Sequence, residues 1–139
     1  MLRKKDLQKK SATKLNLIKK LYEDCEYDEV VSNSGYVTEF ALKAAVCKSI
    51  SQDLYPESIS IYRTHDIEDL IDLAYLRTKL QSEKMNSPEF FTAWSLLSKW
   101  SVNFRYKPVG AFDKEKALAY INALESEKGG VYPRIKKNW

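Results

Sequence analysis

Apolar residues recur at intervals of three and four over most of this 139-residue chain. Such spacing places them on one face of an α-helix, whereas a half-buried strand would alternate apolar and polar residues. No stretch alternates convincingly, and the turn-forming residues Gly and Pro number only four each. The pattern therefore predicts an all-α fold, an up-and-down antiparallel bundle of four to five helices.

Five helical segments follow from this spacing, at about 4–24, 28–50, 65–83, 87–103 and 114–128. Ser87-Pro88-Glu89 is typical of a helix start, because a hydroxyl caps the helix and Pro is favoured at its first position. Thr64 and Asp113 are predicted to cap the third and fifth helices. Gly129-Gly130 then ends the fifth helix.

Two features bear on how these helices pack. The fourth helix carries a heavy aromatic load, which indicates core or a subunit interface rather than a ligand-binding box: Phe90, Phe91, Trp94 and Trp100. Gly35 lies inside the second helix, where Gly costs up to about 1 kcal/mol relative to Ala. That residue is tolerable if it lets a neighbouring helix approach closely.

Charge is unevenly distributed along the chain. Residues 1–20 hold eight Lys/Arg and one Asp, and residues 131–139 hold three Lys/Arg and no acid, so with an overall charge of +4 the remainder is −6. The basic segments suit phosphate groups or the acidic face of another subunit. The alternative is a solvated helix face with frayed basic ends at 1–9 and 131–139.

Composition also argues against several classes of protein. The length fits a single domain over 1–139, and no run of about 18 apolar residues or signal peptide is seen, so we expect a cytoplasmic protein that does not enter a membrane. With one histidine and no C-x-x-C spacing, we expect neither a metal site nor a cofactor. Cys25 and Cys47 are predicted to be reduced, with a disulfide between them as the alternative.

Three passages, in this order, resemble the HEPN family, the higher eukaryote and prokaryote nucleotide-binding domains. They are Gly-Tyr-Val-Thr-Glu-Phe-Ala-Leu-Lys-Ala at 35–44, Thr-His-Asp-Ile at 64–67 and the pair Arg105-Tyr106. With the flanking helices, the resemblance covers roughly residues 10–128. It implies an up-and-down bundle, often a homodimer. Such domains act as nucleotide-associated modules, as partners of small nucleotidyltransferases, or as RNases in toxin–antitoxin and phage-defence systems.

The RNase members of that family carry an Arg, four to six further residues, and then a His. His65 is the only histidine, and Ser58, Ile59 and Ser60 stand where that Arg would have to lie. The chain therefore departs from the RNase pattern. Metal-independent cleavage of this kind then has no obvious proton carrier at the required spacing.

A candidate ligand site centres on Glu39 and Lys43, which share a helix face because they are four residues apart. If the second and third helices lie side by side, this pair meets the start of the third helix. A phosphate would be held there by positive side chains and by helix-start amides, with Tyr62 or Tyr106 stacking on a base. The predicted ligand-binding residues are Glu39, Lys43, Arg63, His65, Asp66, Arg105 and Tyr106.

A structural interpretation of the same residues stands beside this one. Glu39, Lys43 and Asp72 would form a buried polar network that fixes helix register, while His65 and Arg105 brace the ends of loops. A lone histidine in the first turn of a helix is more often structural than catalytic.

Three functions are consistent with these observations. The first is a non-catalytic HEPN-like module that binds a nucleotide or partners a nucleotidyltransferase. The second is an RNase toxin or defence effector with an unorthodox site, in which His65, Arg63 and the basic first helix hold RNA. The third is a structural dimerisation module with the aromatic fourth helix as its seam. The residues leave the identity of the ligand open.

Overall fold

The computed structural model describes residues 2–139, and within them the secondary structure is helical. The seven α-helices found there are α1 (Lys4–Glu23), α2 (Tyr27–Ser49), α3 (Ile67–Leu73), α4 (Arg77–Asn86), α5 (Pro88–Ser98), α6 (Lys114–Glu125) and α7 (Val131–Lys136). Two 3₁₀ turns lie at Ser60–Tyr62 and Val102–Tyr106. Residues 2–139 contain no strand, only one isolated bridge between Arg3 and Leu54. The all-α prediction is confirmed, with more and shorter helices than expected.

Helix α2 is the centre of the fold. It is buried over most of its length, apart from a partly exposed stripe at Asn33, Tyr36 and Phe40, because α1, α3, α6 and α7 pack around it. Helix α1 runs antiparallel to it: the Lys4 amide donates to the Asp53 carbonyl, and the Tyr55 amide donates to the Leu2 carbonyl. The start of α1 is thereby fastened to the segment that leaves α2.

The alternative of frayed basic ends at 1–9 and 131–139 is wrong for residues 2–9 and 131–139, and Met1 lies outside the described residues. Helix α1 begins at Lys4, and Leu7 in its first turns is already buried. The segment after 130 forms α7, which buries Val131 and Ile135. Beyond α7, the indole of Trp139 donates to the Ala41 carbonyl at 3.1 Å, so the basic tail is packed against α2.

The predicted helix over 65–83 is divided into α3 and α4. After Leu73 the chain passes through Tyr75 at φ +58°, a left-handed conformation. The Leu76 amide donates back to the Ile71 carbonyl and the Tyr75 amide to the Asp72 carbonyl, which is the Schellman ending of a helix. Such an ending usually uses Gly, so the sequence carried no signal of it.

Arg77 holds α3, α4 and α5 together. Its guanidinium donates to Asp72 at 2.8 Å and also binds the Glu68 carboxylate, while Glu68 accepts the indole N–H of Trp94 at 3.1 Å. Hydrogen bonds from Arg77 hold the pKa of the Asp72 carboxyl below its usual range. Asp72 therefore pairs with Arg77, and its predicted place in a network with Lys43 is wrong.

The aromatic residues of α5 and the following turn belong mainly to the core. Phe90, Trp94 and Trp100 are buried within the chain, whereas Phe91 is exposed. Trp100 lies flat against Gly35, where a Cβ would come within 1.8 Å of the indole, and its N–H donates to the Val31 carbonyl at 3.0 Å. Gly35 is thus a point of close approach, although its neighbour is an indole and not a helix.

We predict that Tyr75→Gly stabilises the protein by about 1 kcal/mol, because a left-handed conformation strains any residue with a Cβ. The side chain is 78% exposed, so little packing is lost. Thermal unfolding should show a rise in Tm of about 4 °C. Tyr75→Ala is the matched control, since it keeps the strain, and equal stability of the Gly and Ala variants would contradict the prediction.

Candidate functional site

Three of the predicted site residues meet around one buried carboxylate. Glu39 Oε2 lies 3.2 Å from the Lys43 ammonium, and Glu39 Oε1 lies 3.0 Å from His65 Nδ1. The side chains of Glu39 and Lys43 are only 3% and 11% exposed, whereas that of His65 is 61% exposed. Glu39 therefore connects a buried cation to a histidine at the surface.

Tyr55 contacts this cluster of Glu39, Lys43 and His65 from the long loop at 50–66, which connects α2 to α3. The Lys43 ammonium lies 5.2 Å from the centre of its ring, within range of a cation–π contact. The phenol is fully buried and donates to the Tyr62 carbonyl at 2.6 Å, and burial raises its pKa above the usual range. Tyr55 stays a neutral donor, and it ties the 3₁₀ turn at Ser60–Tyr62 to the cluster.

Asp66 lies beside the cluster but is used by the backbone. It is the N-cap of α3 in place of the predicted Thr64, and its carboxylate accepts from the amides of Glu68 at 2.8 Å and Asp69 at 3.2 Å. Those amides already have an acceptor. The expectation that they would help to hold a phosphate is therefore wrong.

The remaining predicted site residues divide between two places. Arg63 is exposed two residues before His65, at the end of the 3₁₀ turn. Arg105 and Tyr106 belong to the other turn, where the guanidinium lies 4.9 Å from the centre of the Tyr106 ring. Within residues 2–139 no hydrogen bond or ion pair joins Arg105 or Tyr106 to the Glu39 cluster.

The loop that carries Arg105 is fastened to the first turn of α2. Asp28 accepts from the amides of Gly110 at 2.7 Å and Phe112 at 3.0 Å. Asp28 precedes Glu39 by eleven residues, which is about 16 Å along a helix axis. The expected gathering of positive charge from both loops at Glu39 is absent.

Chemically, the cluster fixes a histidine ring more than it attracts an anion. The Nδ1 atom of His65 faces Glu39, which leaves Nε2 without a partner among residues 2–139. The three acidic residues Asp66, Glu68 and Asp69 follow Arg63 within six positions of the chain. The arrangement can orient the imidazole and carry a proton at Nε2, and it offers one exposed guanidinium to a phosphate.

The described residues contain no metal-ion site, no disulfide and no membrane-spanning helix. Within 2–139 no group of three or more His, Cys, Asp or Glu side chains is placed to hold a metal ion. Cys25 is exposed and Cys47 is buried, and both are free thiols. No helix in that part of the chain has the length and apolar character needed to cross a membrane.

Tyr55 was missed from the sequence because it lies in a loop without helical period. The adjacent Pro56 marks a turn but says nothing about which way the tyrosine points. By contrast, Glu39, Lys43 and His65 were predicted to meet, and they do. Spacing of four predicts a pair on one helix, whereas the position of a loop aromatic depends on tertiary packing.

These features define a helical-bundle domain built on one central helix, with a buried Glu–Lys pair reaching a histidine at the head of the next helix. The family model of the HEPN domain matches residues 5–126, and the chain belongs to this family. No curated protein and no solved structure gives a significant match. Membership links the chain to nucleotide- or RNA-related function.

We predict that Lys43→Ala lowers the free energy of unfolding by about 3 kcal/mol, because it leaves the Glu39 carboxylate buried without its counter-charge. Urea denaturation measures this. Lys48→Ala, in the exposed last turn of the same helix, is the control and should change stability by less than about 0.5 kcal/mol.

A double variant separates the effect of the buried charges on stability from the effect of side-chain packing. Glu39→Leu combined with Lys43→Met removes both charges while keeping side-chain volume, and should recover most of the lost stability. If Lys43→Ala is as mild as Lys48→Ala, the pair does not stabilise the fold.

Proposed function

We propose that this chain is a non-catalytic HEPN module that binds a nucleotide or partners a nucleotidyltransferase, in a toxin–antitoxin or phage-defence system. One observation carries the proposal: the only histidine is tied through Nδ1 to the buried Glu39–Lys43 pair, and no arginine precedes it at the RNase spacing. The arginine that the RNase pattern places before its histidine, to stabilise the charge that develops when a phosphodiester is cleaved, is therefore missing.

The proposed contact with the ligand is the surface over Glu39. Arg63 and His65 are its exposed members, and a guanidinium can grip a phosphate with two parallel donors. Two further residues hold this surface in place. Lys43 neutralises the charge of Glu39, and Asp66 caps α3. Arg105 and Tyr106 form a second, separate patch on the 3₁₀ turn at Val102–Tyr106, where the guanidinium beside an exposed ring suits a base.

A homodimer is part of this proposal. Trp94 lies inside the protomer core, so a seam on α5 would have to use the outward residues of that helix. Phe91 is the exposed aromatic residue there. A dimer would carry two His65 surfaces and could present both to a partner nucleotidyltransferase.

We predict that a nucleotide such as ATP raises the melting temperature of the purified protein. At ten times its Kd, a ligand that binds only the folded state adds about 1.4 kcal/mol, which is roughly 4 °C for a chain of this size. Arg63→Ala should abolish the shift without lowering the melting temperature of the free protein, because Arg63 is exposed. Lys114→Ala, on the exposed start of α6, is the control. A panel of nucleotides at millimolar concentration that shifts nothing would defeat the nucleotide half of the proposal.

An RNase with an unorthodox site is the second candidate, and the open Nε2 of His65 favours it. A carboxylate on Nδ1 with a solvent-facing Nε2 is the arrangement in which an imidazole exchanges protons with a substrate. Arg63 would then hold the scissile phosphate.

Incubation of the pure protein with labelled RNA decides between the two candidates. The non-catalytic proposal predicts no cleavage above a buffer blank, and normal growth of cells that express the chain. Cleavage and toxicity that are both lost in His65→Ala, and kept in Lys114→Ala, would overturn it in favour of the RNase.

A further inference from the structure

A groove of about 660 Å³ lies along α1, with Phe40 of α2 in its lining. None of its lining residues belongs to the Glu39 cluster. They are Leu2, Asp6, Lys9, Lys10, Thr13, Lys14 and Phe40. The volume falls in the range of clefts that bind small ligands or segments of a polymer.

Phe40 lines this groove from α2, and Tyr36, one turn earlier on that helix, lies next to the lining residue Lys14. The rings of Tyr36 and Phe40 lie 6.3 Å apart with their planes inclined by 28°. Above them, Lys14 Nζ lies 5.8 Å from the centre of the Tyr36 ring and Lys10 Nζ lies 6.0 Å from that of Phe40. Both pairs are offset by four residues, so one ammonium over one ring is repeated at an interval of about 6 Å.

The positive charge of the groove is poorly compensated. Lys9 and Lys10 make no ion pair within residues 2–139, and Lys14 donates only to the neutral amide oxygen of Asn33 at 3.2 Å. Asp6 is the one acidic lining residue, and its carboxylate accepts from the Arg3 amide at the start of α1. The lysines of this face are therefore available to an anion.

We propose that this groove binds single-stranded RNA, with successive bases against Tyr36 and Phe40 and the flanking phosphates on Lys9, Lys10 and Lys14. The pattern fits a polymer in which a flat apolar base and an anionic phosphate alternate, since every base can stack and every linkage carries one charge. The proposal deepens the proposed function, on which it rests for a nucleotide- or RNA-related role, and gives it a second surface.

Fluorescence anisotropy with a labelled oligouridylate tests the groove at several salt concentrations. Lys10→Ala with Lys14→Ala should weaken binding at least tenfold, and should reduce the slope of log K against log salt by about 1.4, or 0.7 per lost contact. Lys107→Ala with Lys128→Ala, which removes two exposed lysines elsewhere, is the matched control and should leave binding by the groove in place. A lysine pair in the groove that behaves like the control pair overturns the proposal.

Phe40→Leu tests stacking without changing charge. Loss of one base contact should weaken binding by about 5-fold to 100-fold while the salt slope is unchanged. Melting temperatures of all variants confirm that they are folded. If Phe40→Leu has no effect and polyglutamate displaces the RNA as well as unlabelled oligouridylate does, the groove is a docking surface for an acidic protein, and the RNA proposal fails.

The failure of this inference can be told apart from failure of the proposed function. A wild-type protein that binds no oligouridylate but shows the Arg63-dependent nucleotide shift overturns the groove alone. Binding of RNA that depends on Arg63 and not on Lys10 and Lys14 also overturns the groove alone. A protein that responds to neither RNA nor any nucleotide overturns both.

Discussion

Burial of α2 over most of its surface is the constraint on which the rest of the structure depends. A helix with apolar residues on several of its faces must be covered by other helices on each of them. Helices α1, α3, α6 and α7 do so, and the long loop closes over what they leave through Tyr55. The surface over Glu39 and the groove on α1 both depend on which element covers each side of α2.

The same burial explains why the polar residues of α2 are arranged as they are. A carboxylate taken out of water costs several kcal/mol unless it is paired and hydrogen-bonded. Glu39 therefore uses one oxygen for Lys43 and the other for His65. The contact with His65 spans 26 residues of chain, so the pair on α2 also determines where the head of α3 is held.

Local signals in the sequence were reliable where local chemistry decides the structure. Ser87 and Asp113 cap α5 and α6 with their side chains as predicted, and Glu39 and Lys43 pair across one turn. The break between α3 and α4 was not predictable in this way. Tyr75 adopts a left-handed conformation that its residue type disfavours. Arg77, the first residue of α4, stabilises the break by binding Asp72 at the end of α3.

The candidate site was likewise predictable where helix spacing decides it, and not where a contact between distant residues does. Residues on α2 and at the head of α3 come together because neighbouring helices pack side by side, which the hydrophobic spacing implies. Arg105 does not join them, since its loop is anchored by Asp28 at the far end of α2, a contact between residues more than eighty positions apart. Hydrophobic spacing carries no information about such a contact.

The contact of Trp100 with Gly35 makes the indole a natural fluorescence reporter of this part of the fold. The indole is enclosed by Gly35, the edge of Tyr36 and the Val31 carbonyl, at the joint between α2 and the loop that carries Arg105. Any loosening of that joint admits water to a fluorophore that is now shielded, and shifts its emission to longer wavelength. The movement of one loop relative to the central helix thereby changes the Trp100 part of the natural emission, to which Trp94 and Trp139 also contribute.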